Sequence, residues 1–339
     1  MDFEISEEDR MLADLAERLF PPQGTSADAA TVAEAGLYAL TVPEDAGGFG
    51  GGLLSVWHVA RAAGRGLAGV PLTQTAILPG ALLAASGQDT LAQGLAAGEA
   101  RVAACLDPGL TVAGGRVSGQ LSDIVGAEGA DWLIAPADGP EGRQLLLLPL
   151  GGADVTPAPL FDGTPAARIA MDMDLPGDAV LAGGNAAEDA LTLARRLLWL
   201  AVAAETAGAA EAAVAETAAY LPDRKQFGQR LADFQALRHR LVDMMIAAQE
   251  IHAMSLHAAM ALGAGAVDAD VVLEAALLKA ALAGRRVGQE AVQLHGGVGV
   301  TQEYRISRVF QRLTRLGLAA GGVSGLTQRL AGREARLLG

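Results

Sequence analysis

Apolar residues recur at helical spacing over most of this chain, and the stretches where that spacing fails mark its divisions. In residues 1–98 helical runs are broken by Pro21-Pro22, Pro43, the glycines between Gly47 and Gly52, and Pro71, which predicts a helical N-terminal domain. Over residues 99–185 the texture changes to short β-like runs separated by Gly, Pro and Asp. Trp132-Leu133-Ile134 and Gln144 to Leu148 are examples, and they predict a small β domain. From Ala186 the helical period returns through Leu193, Leu197, Leu200 and Ala204, then Phe234, Leu237, Leu241, Met244 and Met245, then Val272, Leu277, Leu278 and Leu282. This predicts a bundle of long helices over residues 186–339, with Pro222-Asp223 breaking the first pair apart. The fold class so predicted is mainly α with a small central β domain. A bundle with several apolar faces also points towards association.

Composition narrows the function classes. A net charge of −14 and a pI near 4.8 argue against a nucleic-acid surface, whose phosphates would be repelled. One cysteine, Cys105, excludes an intrachain disulfide and leaves no thiol cluster for zinc. Asp2, Glu4, Glu7, Glu8 and Asp9 precede any apolar run, so no leader is expected, and the longest apolar run, Leu197 to Ala204, falls short of the ~20 residues of a membrane span. A cytoplasmic location without membrane contact follows as the expectation. Much of the 51% hydrophobic content is alanine, which favours helix and carries little functional information.

The stretch Tyr220 to Met244, with Gln293-Leu294-His295-Gly296-Gly297 further on, carries the candidate chemistry. Arg224 offers a planar fork that matches phosphate oxygens bidentately. Phe227, before Gly228, offers a face for an adenine or flavin edge. Gln226, Gln235 and Gln293 supply neutral amides for ring edges and ribose hydroxyls, and Gly296-Gly297 lets backbone approach an anion. Each has a plainer explanation: a solvated arginine, a helix-end core aromatic, a helix C-cap. Neither His239 nor His295 has a second His or Cys at ligand spacing, so no metal is expected. Arg195-Arg196 reads as a solvated helix face.

In combination these segments resemble the acyl-CoA dehydrogenase family, nearly end to end. Met1-Asp2-Phe3 to Phe20 looks like its opening helix, and Gly36 to Gly52 like its "G…VPE…GG.G" segment. Arg224-Lys225-Gln226-Phe227-Gly228, Phe234-Gln235 and His239 match "RxQFG…fQ…H", and Gln293 to Gly297 matches "QxxGG". The resemblance implies an N-terminal helical domain, a β-barrel-like middle domain and a C-terminal four-helix bundle. It also implies FAD, an acyl-CoA substrate and an electron-transferring flavoprotein as acceptor. The FAD contacts it implies are Arg224, Gln226, Phe227, Phe234, Gln235, Gln293, Leu294, His295, Gly296 and Gly297, serving largely the flavin of a neighbouring subunit. The reaction it implies removes a proton alpha to a thioester carbonyl while a hydride leaves the beta carbon for the flavin.

The chain departs from the family where that chemistry needs a base. The usual "Y-E-G-T" glutamate falls on Ala320 within Gly317 to Gly322, and alanine cannot take a proton. The "TEP..GSD" stretch is reduced to Cys105-Leu106-Asp107-Pro108-Gly109, and Ser122-Asp123-Ile124-Val125 stands for the "W-I-T-N" loop. The ring-side half of the site thus looks eroded while the ADP-side half looks intact. This pattern resembles the non-catalytic partner in an α2β2 acyl-CoA dehydrogenase acting on steroid side chains and other bulky acyl groups. Some members place their base on the first long C-terminal helix, at a position falling on Leu198. Glu205 lies two turns along the same helix face and is a candidate replacement base, or else pairs with a basic residue of a neighbouring helix. Three readings stand: a flavin-sharing subunit whose partner supplies the base, a self-sufficient dehydrogenase using Glu205, and a scaffold that binds neither flavin nor substrate.

Overall fold

The structure is a computed structural model that describes residues 6–23, 25–301 and 303–338, and only the backbone of 334–338. Met1 to Ile5, where the opening helix was expected to begin, lie outside the described residues. The chain gathers into two compact units. One comprises Met1–Ser26, Leu53–Ala68 and Trp199–Gly339, and the other comprises Ala27–Gly52 and Gly69–Leu198. Helices occupy the chain up to Ala96, strands run from Val102 to Gly183, and helices return from Gly184.

The second unit holds the short helices α2 (Ala29–Glu34), α4 (Leu78–Ala85) and α5 (Asp89–Ala96). It also holds the strands β1 (Val102–Ala104), β2 (Leu110–Ala113), β3 (Arg116–Val125), β4 (Trp132–Gly139), β5 (Gly142–Pro149), β6 (Asp154–Pro157), β7 (Ala166–Asp174) and β8 (Val180–Gly183). They form one mixed sheet ordered β6-β7-β3-β2-β4-β5-β8, with β1 alongside β4. Alternation in β2, and the inward Leu110, Val117, Leu121, Ile124, Leu133, Leu146 and Ile169, build one apolar core beneath the sheet. The β3–β7 register shifts between Leu121 and Ile124, and Asp123 in that bulge takes φ 58°. Such bulges turn a side chain out of the pleat.

The first unit is helical: α1 (Glu7–Leu19), α3 (Leu53–Gly66), the later part of α6 (Gly184–Asp223), α7 (Gln235–Gly263), α8 (Ala269–His295), α9 (Arg305–Leu316) and α10 (Gly322–Leu338). Ser6 Oγ caps α1 by accepting from the Asp9 amide, and Glu7, Glu8 and Asp9 complement the helix dipole. Within α6, Ala201, Ala203, Ala204, Ala207, Ala209, Ala210 and Ala213 are all buried. Their small side chains let α3 come backbone to backbone with α6. A Cβ on Gly64 would stand 2.0 Å from the Glu205 carbonyl oxygen, and one on Gly208 would stand 1.9 Å from that of Arg61.

A polar network sits on the same junction. Arg61 holds Glu211 bidentately, at 2.9 and 2.8 Å, while His252 Nδ1 lies 3.0 Å from Glu211 Oε1. Burial alone would push the Glu211 carboxyl up, but hydrogen bonds from His252 and Arg61 hold it below the usual carboxylate range.

Two sequence expectations are modified here. Helix α6 is a single helix of 40 residues that carries Pro222 in its last turn, so the proline marks its end from inside. It is also long and apolar enough to cross a membrane by length and composition, contrary to the reading of Leu197 to Ala204 as too short; 72% of its apolar window is buried within the protein. Scattered polar residues interrupt this helix, so that it is apolar on average without containing one long apolar run.

Candidate functional site

The break after α6 produces the most unusual backbone of the helical unit. Lys225–Gln226 (β9) and Gln229–Arg230 (β10) pair antiparallel as a minimal hairpin, with Phe227 and Gly228 as its two turn residues. Both take positive φ, 54° and 81°, the requirement of a type I′ turn, for which Asn-Gly is the favoured pair. A phenylalanine at the first of these positions is strained, at a cost on the order of 1–2 kcal/mol. Phe227 is 90% exposed, its ring set edge-on to that of Phe234 at 6.2 Å between centroids.

Arg224 stands at the base of this hairpin. Its amide donates to the Tyr220 carbonyl and its own carbonyl accepts from the Leu231 amide, which close the hairpin onto the end of α6. Its guanidinium is exposed, and among the described residues no acid or carbonyl accepts from it. By contrast Arg230, on the second strand, is spent on Asp233 at 3.0 Å. Gln226 is exposed and donates only to the neighbouring Lys225 carbonyl, and Gln235, the first residue of α7, is exposed beside Phe234.

Tyr220 joins this corner to the glycine pair. Its ring stacks on His295 at 4.4 Å between centroids, and its hydroxyl donates to the His295 carbonyl at 3.3 Å. Tyr304 closes the cluster from α9's approach, 5.5 Å from the His295 ring. The structure therefore brings the hairpin and the "QxxGG" segment together through an aromatic contact that the sequence reading did not use. The available signal was Tyr220 standing one helical turn before Arg224.

Not all the candidate residues face outward. Gln293 is exposed, whereas Leu294 and His295 are buried at 4% and 3%, with Leu294 part of the bundle core. His295 Nδ1 lies 2.8 Å from the Ala291 carbonyl, and burial pushes its imidazole below the usual value against the raising effect of that carbonyl. Their side chains pack inward, because the helical period carries positions 294 and 295 round to the core face, and a cofactor would meet them through backbone.

The two glycines also differ. Gly296 takes φ 65° and ψ −144°, a region essentially reserved for glycine, and caps α8 through its amide to the Gln293 and Val292 carbonyls. Gly297 has no positive φ, and a Cβ there would meet nothing within 4 Å. The capping explanation therefore covers Gly296 and leaves Gly297 open to approach from outside. Gly296→Val is expected to cost ~1–3 kcal/mol in urea unfolding. Gly297→Val is expected to leave the unfolding midpoint nearly unchanged while lowering flavin retention, and an equal loss of stability in both would reduce Gly297 to a second capping residue.

The two candidate base positions have separate outcomes. Glu205 Oε1 accepts from Arg312 at 2.7 Å and from Arg315 at 3.3 Å, and Arg312 also donates to the Ala68 carbonyl. The carboxylate is engaged by the neighbouring α9 in the pairing alternative raised above. Ala320 takes φ 56°, followed by Gly321 and Gly322 at 83° and 62°, and Arg329 donates to the Ala320 carbonyl. Its methyl carries no proton acceptor.

The ring-side stretches lie in the sheet unit. Cys105 is buried, its thiol pushed up to about 12 by burial and then by the Asp107 charge. Asp107 is itself raised by burial and by the charge of Asp123, the bulge residue. Acids thus occupy both stretches that looked eroded. Among the described residues no group of His, Cys, Asp and Glu is arranged to hold a metal ion.

Comparison with known proteins identifies the family of this fold. The family model for the acyl-CoA dehydrogenase C-terminal domain matches residues 182–334. Over 283 residues the chain is 31% identical to the acyl-CoA dehydrogenase IpdE2 of Mycobacterium tuberculosis, spanning 82% of this chain and 77% of that one. A chain of the solved ChsE4-ChsE5 complex from Mycobacterium tuberculosis superposes with a TM-score of 0.88 at 25% identity, covering 99% of both chains. A variant of the Tcur3481-Tcur3483 steroid ACAD does so at 0.86 and 29% identity, covering 97% of this chain and 98% of that one. The N-terminal helices, mixed sheet and C-terminal helices are the fold these proteins share, and the chain belongs to the acyl-CoA dehydrogenase family, oxidoreductases acting on acyl-CoA thioesters.

Proposed function

We propose that this chain is the flavin-sharing subunit of a heteromeric acyl-CoA dehydrogenase, gripping the ADP side of an FAD whose ring lies in a partner subunit that carries the glutamate base. The observation that carries this reading is the hairpin: Phe227 is strained and exposed, and the exposed Arg224 guanidinium beside it has no acid or carbonyl partner among the described residues. These residues fit a dinucleotide. Arg224 would hold the pyrophosphate by charge-assisted hydrogen bonds, Phe227 would cover an aromatic face, and the amides of Gln226, Gln235 and Gln293 would meet ring edges and hydroxyls. Gly297 leaves backbone open beside them.

FAD, when bound, supplies the hydride acceptor. This chain supplies no base at position 320, and its Glu205 is held by two arginines. The ChsE4-ChsE5 protein is a complex of two chains and the Tcur3481-Tcur3483 protein is a steroid ACAD, which supports a heteromer and a bulky, steroid-type acyl-CoA as substrate. An electron-transferring flavoprotein is the acceptor this reading implies.

The test is to purify the chain alone and with its partner subunit, record the visible spectrum, and follow bleaching by acyl-CoAs. Flavin absorbance only in the pair supports the proposal; flavin and turnover from the chain alone would replace it with a self-sufficient enzyme, and absence from both with a scaffold. In the pair, Arg224→Ala is expected to weaken flavin retention by roughly 1.5–3 kcal/mol, about ten- to hundredfold. Unchanged flavin content would remove Arg224 from the cofactor site.

A further inference from the structure

Two histidines stand edge-on to one tryptophan where α1, α3, α6 and α7 meet inside the helical unit. The Trp57 ring lies 5.0 Å from that of His58 and 5.1 Å from that of His252, and the Arg61 guanidinium rests over it at 5.7 Å. Trp57 Nε1 donates to Ser255 Oγ on α7, which donates on to the His252 carbonyl. The two imidazoles are not equivalent. His252 Nδ1 lies 3.0 Å from Glu211 on α6, the carboxylate that Arg61 also grips. His58 is 9% exposed, and its Nε2 is buried with no hydrogen-bond partner among the described residues. The charges that face His58 are Asp9 and Glu17 on α1, Arg61 on its own helix and His252 on α7. Burial is the largest influence and pushes the imidazole below its ordinary value; the two acids oppose the shift, and Arg61 and His252 add to it.

We propose that this junction is an acid-opened clasp, in which a proton on His58 is accommodated only when α1 parts from α3, so that acidification releases α1 while the rest of the bundle holds. Three observations carry it. A charged imidazole in the closed junction would stand beside Arg61 and His252 with a buried N–H that has nothing to donate to, and burying such a charge is costly. Helix α3 cannot yield towards α6, because Gly64 and Gly208 already bring the two backbones into contact. Helix α1 is the lightly held neighbour. It buries only Leu12 and Ala16 among its 13 residues, and polar ties join it to α3: Ser55 donates to Asp9 at 2.6 Å, and Glu17 lies 3.7 Å from Arg61 and 3.5 Å from Arg65. Once α1 has parted, water reaches His58 and the imidazole regains its ordinary value near 6.5. The closed form therefore binds fewer protons than the open one. Its advantage is fully present above about pH 6.5 and is lost as the pH falls through that value towards the closed-state one. Glu211 adds nothing in this window, since His252 and Arg61 hold it below the usual carboxylate range.

Hydrogen exchange read by mass spectrometry tests this on the full chain in whatever assembly it is purified, since each peptide reports on its own helix. Between about pH 7.5 and about pH 5.5, after correction for the intrinsic exchange rate, peptides of α1 are expected to lose protection about tenfold, the limit set by one proton titrating near 6.5. Peptides of α6 are expected to keep theirs. His58→Phe retains an aromatic edge against Trp57 and removes the proton acceptor, so the pH dependence of α1 is expected to disappear. His58→Gln gives the same reading without the larger ring, should phenylalanine overpack the junction. His252→Gln is expected to leave the pH dependence in place. Protection of α1 that does not change with pH, that still falls in both His58 variants, or that stops falling in His252→Gln would overturn the proposal. A loss shared equally by α6 would overturn it too, because the whole bundle and not the clasp would then be opening.

Discussion

Gly208→Ala is expected to destabilise the protein by about 3 kcal/mol, at the upper end of what overpacking costs. The added Cβ would lie 1.9 Å from the Arg61 carbonyl oxygen and 2.7 Å from the Arg65 amide nitrogen, both backbone atoms of α3. A side chain can rotate away from such a contact, but a helix backbone cannot, so α3 and α6 must separate along their junction. The separation would also stretch the Arg61–Glu211 pair that spans it. Helix propensity works against this loss, since alanine is better than glycine in a helix by ~1 kcal/mol, and the packing term must exceed it. Gly263→Ala at the end of α7 is the control, because nothing lies within 4 Å of its would-be Cβ. It is expected to stabilise slightly. Urea midpoints at constant slope measure both, and equal midpoints for the two variants would show that the helices do not meet at these glycines.

Glu205→Gln is expected to cost about 3 kcal/mol, because it removes the carboxylate 2.7 Å from Arg312, whose side chain is 9% exposed. The amide keeps the shape and loses the ion pair. If Glu205 is structural, the variant lowers the unfolding midpoint while flavin bleaching by acyl-CoA in the assembled enzyme persists at a temperature where it stays folded. A base would behave in the opposite way: bleaching would vanish in a variant that unfolds at the wild-type midpoint. Arg312→Ala discriminates further, since it should reproduce the stability loss of Glu205→Gln without touching any proton acceptor.

Much of the architecture was legible before the structure. The change from helical to alternating spacing near residue 99, and back near 186, matches the last residue of α5 at Ala96, the first strand at Val102 and the start of α6 at Gly184. Those transitions show because hydrophobic period is a local property. The alanines were a different case. In the sequence they signalled only helix, whereas in the bundle they and two glycines allow α3 and α6 to touch backbone to backbone. Leu294 and His295 sat in a motif that suggested cofactor contact, and the turn of α8 carried both inward. Phe227 showed as an aromatic before glycine, but its positive φ and its 90% exposure did not.

By itself the sequence determined the element types, the exclusion of a disulfide through a single cysteine, the family motifs, and the alanine at position 320. These depend on residue identity and on spacing along one helix or strand. Only the tertiary structure decided that Glu205 is tied to Arg312 and Arg315, that Gly296 caps while Gly297 is open, and that the Arg224 guanidinium has no acid or carbonyl partner among the described residues. Those outcomes turn on which residues distant in the chain become neighbours, and a charge or a glycine acquires its role from what stands within a few ångströms of it.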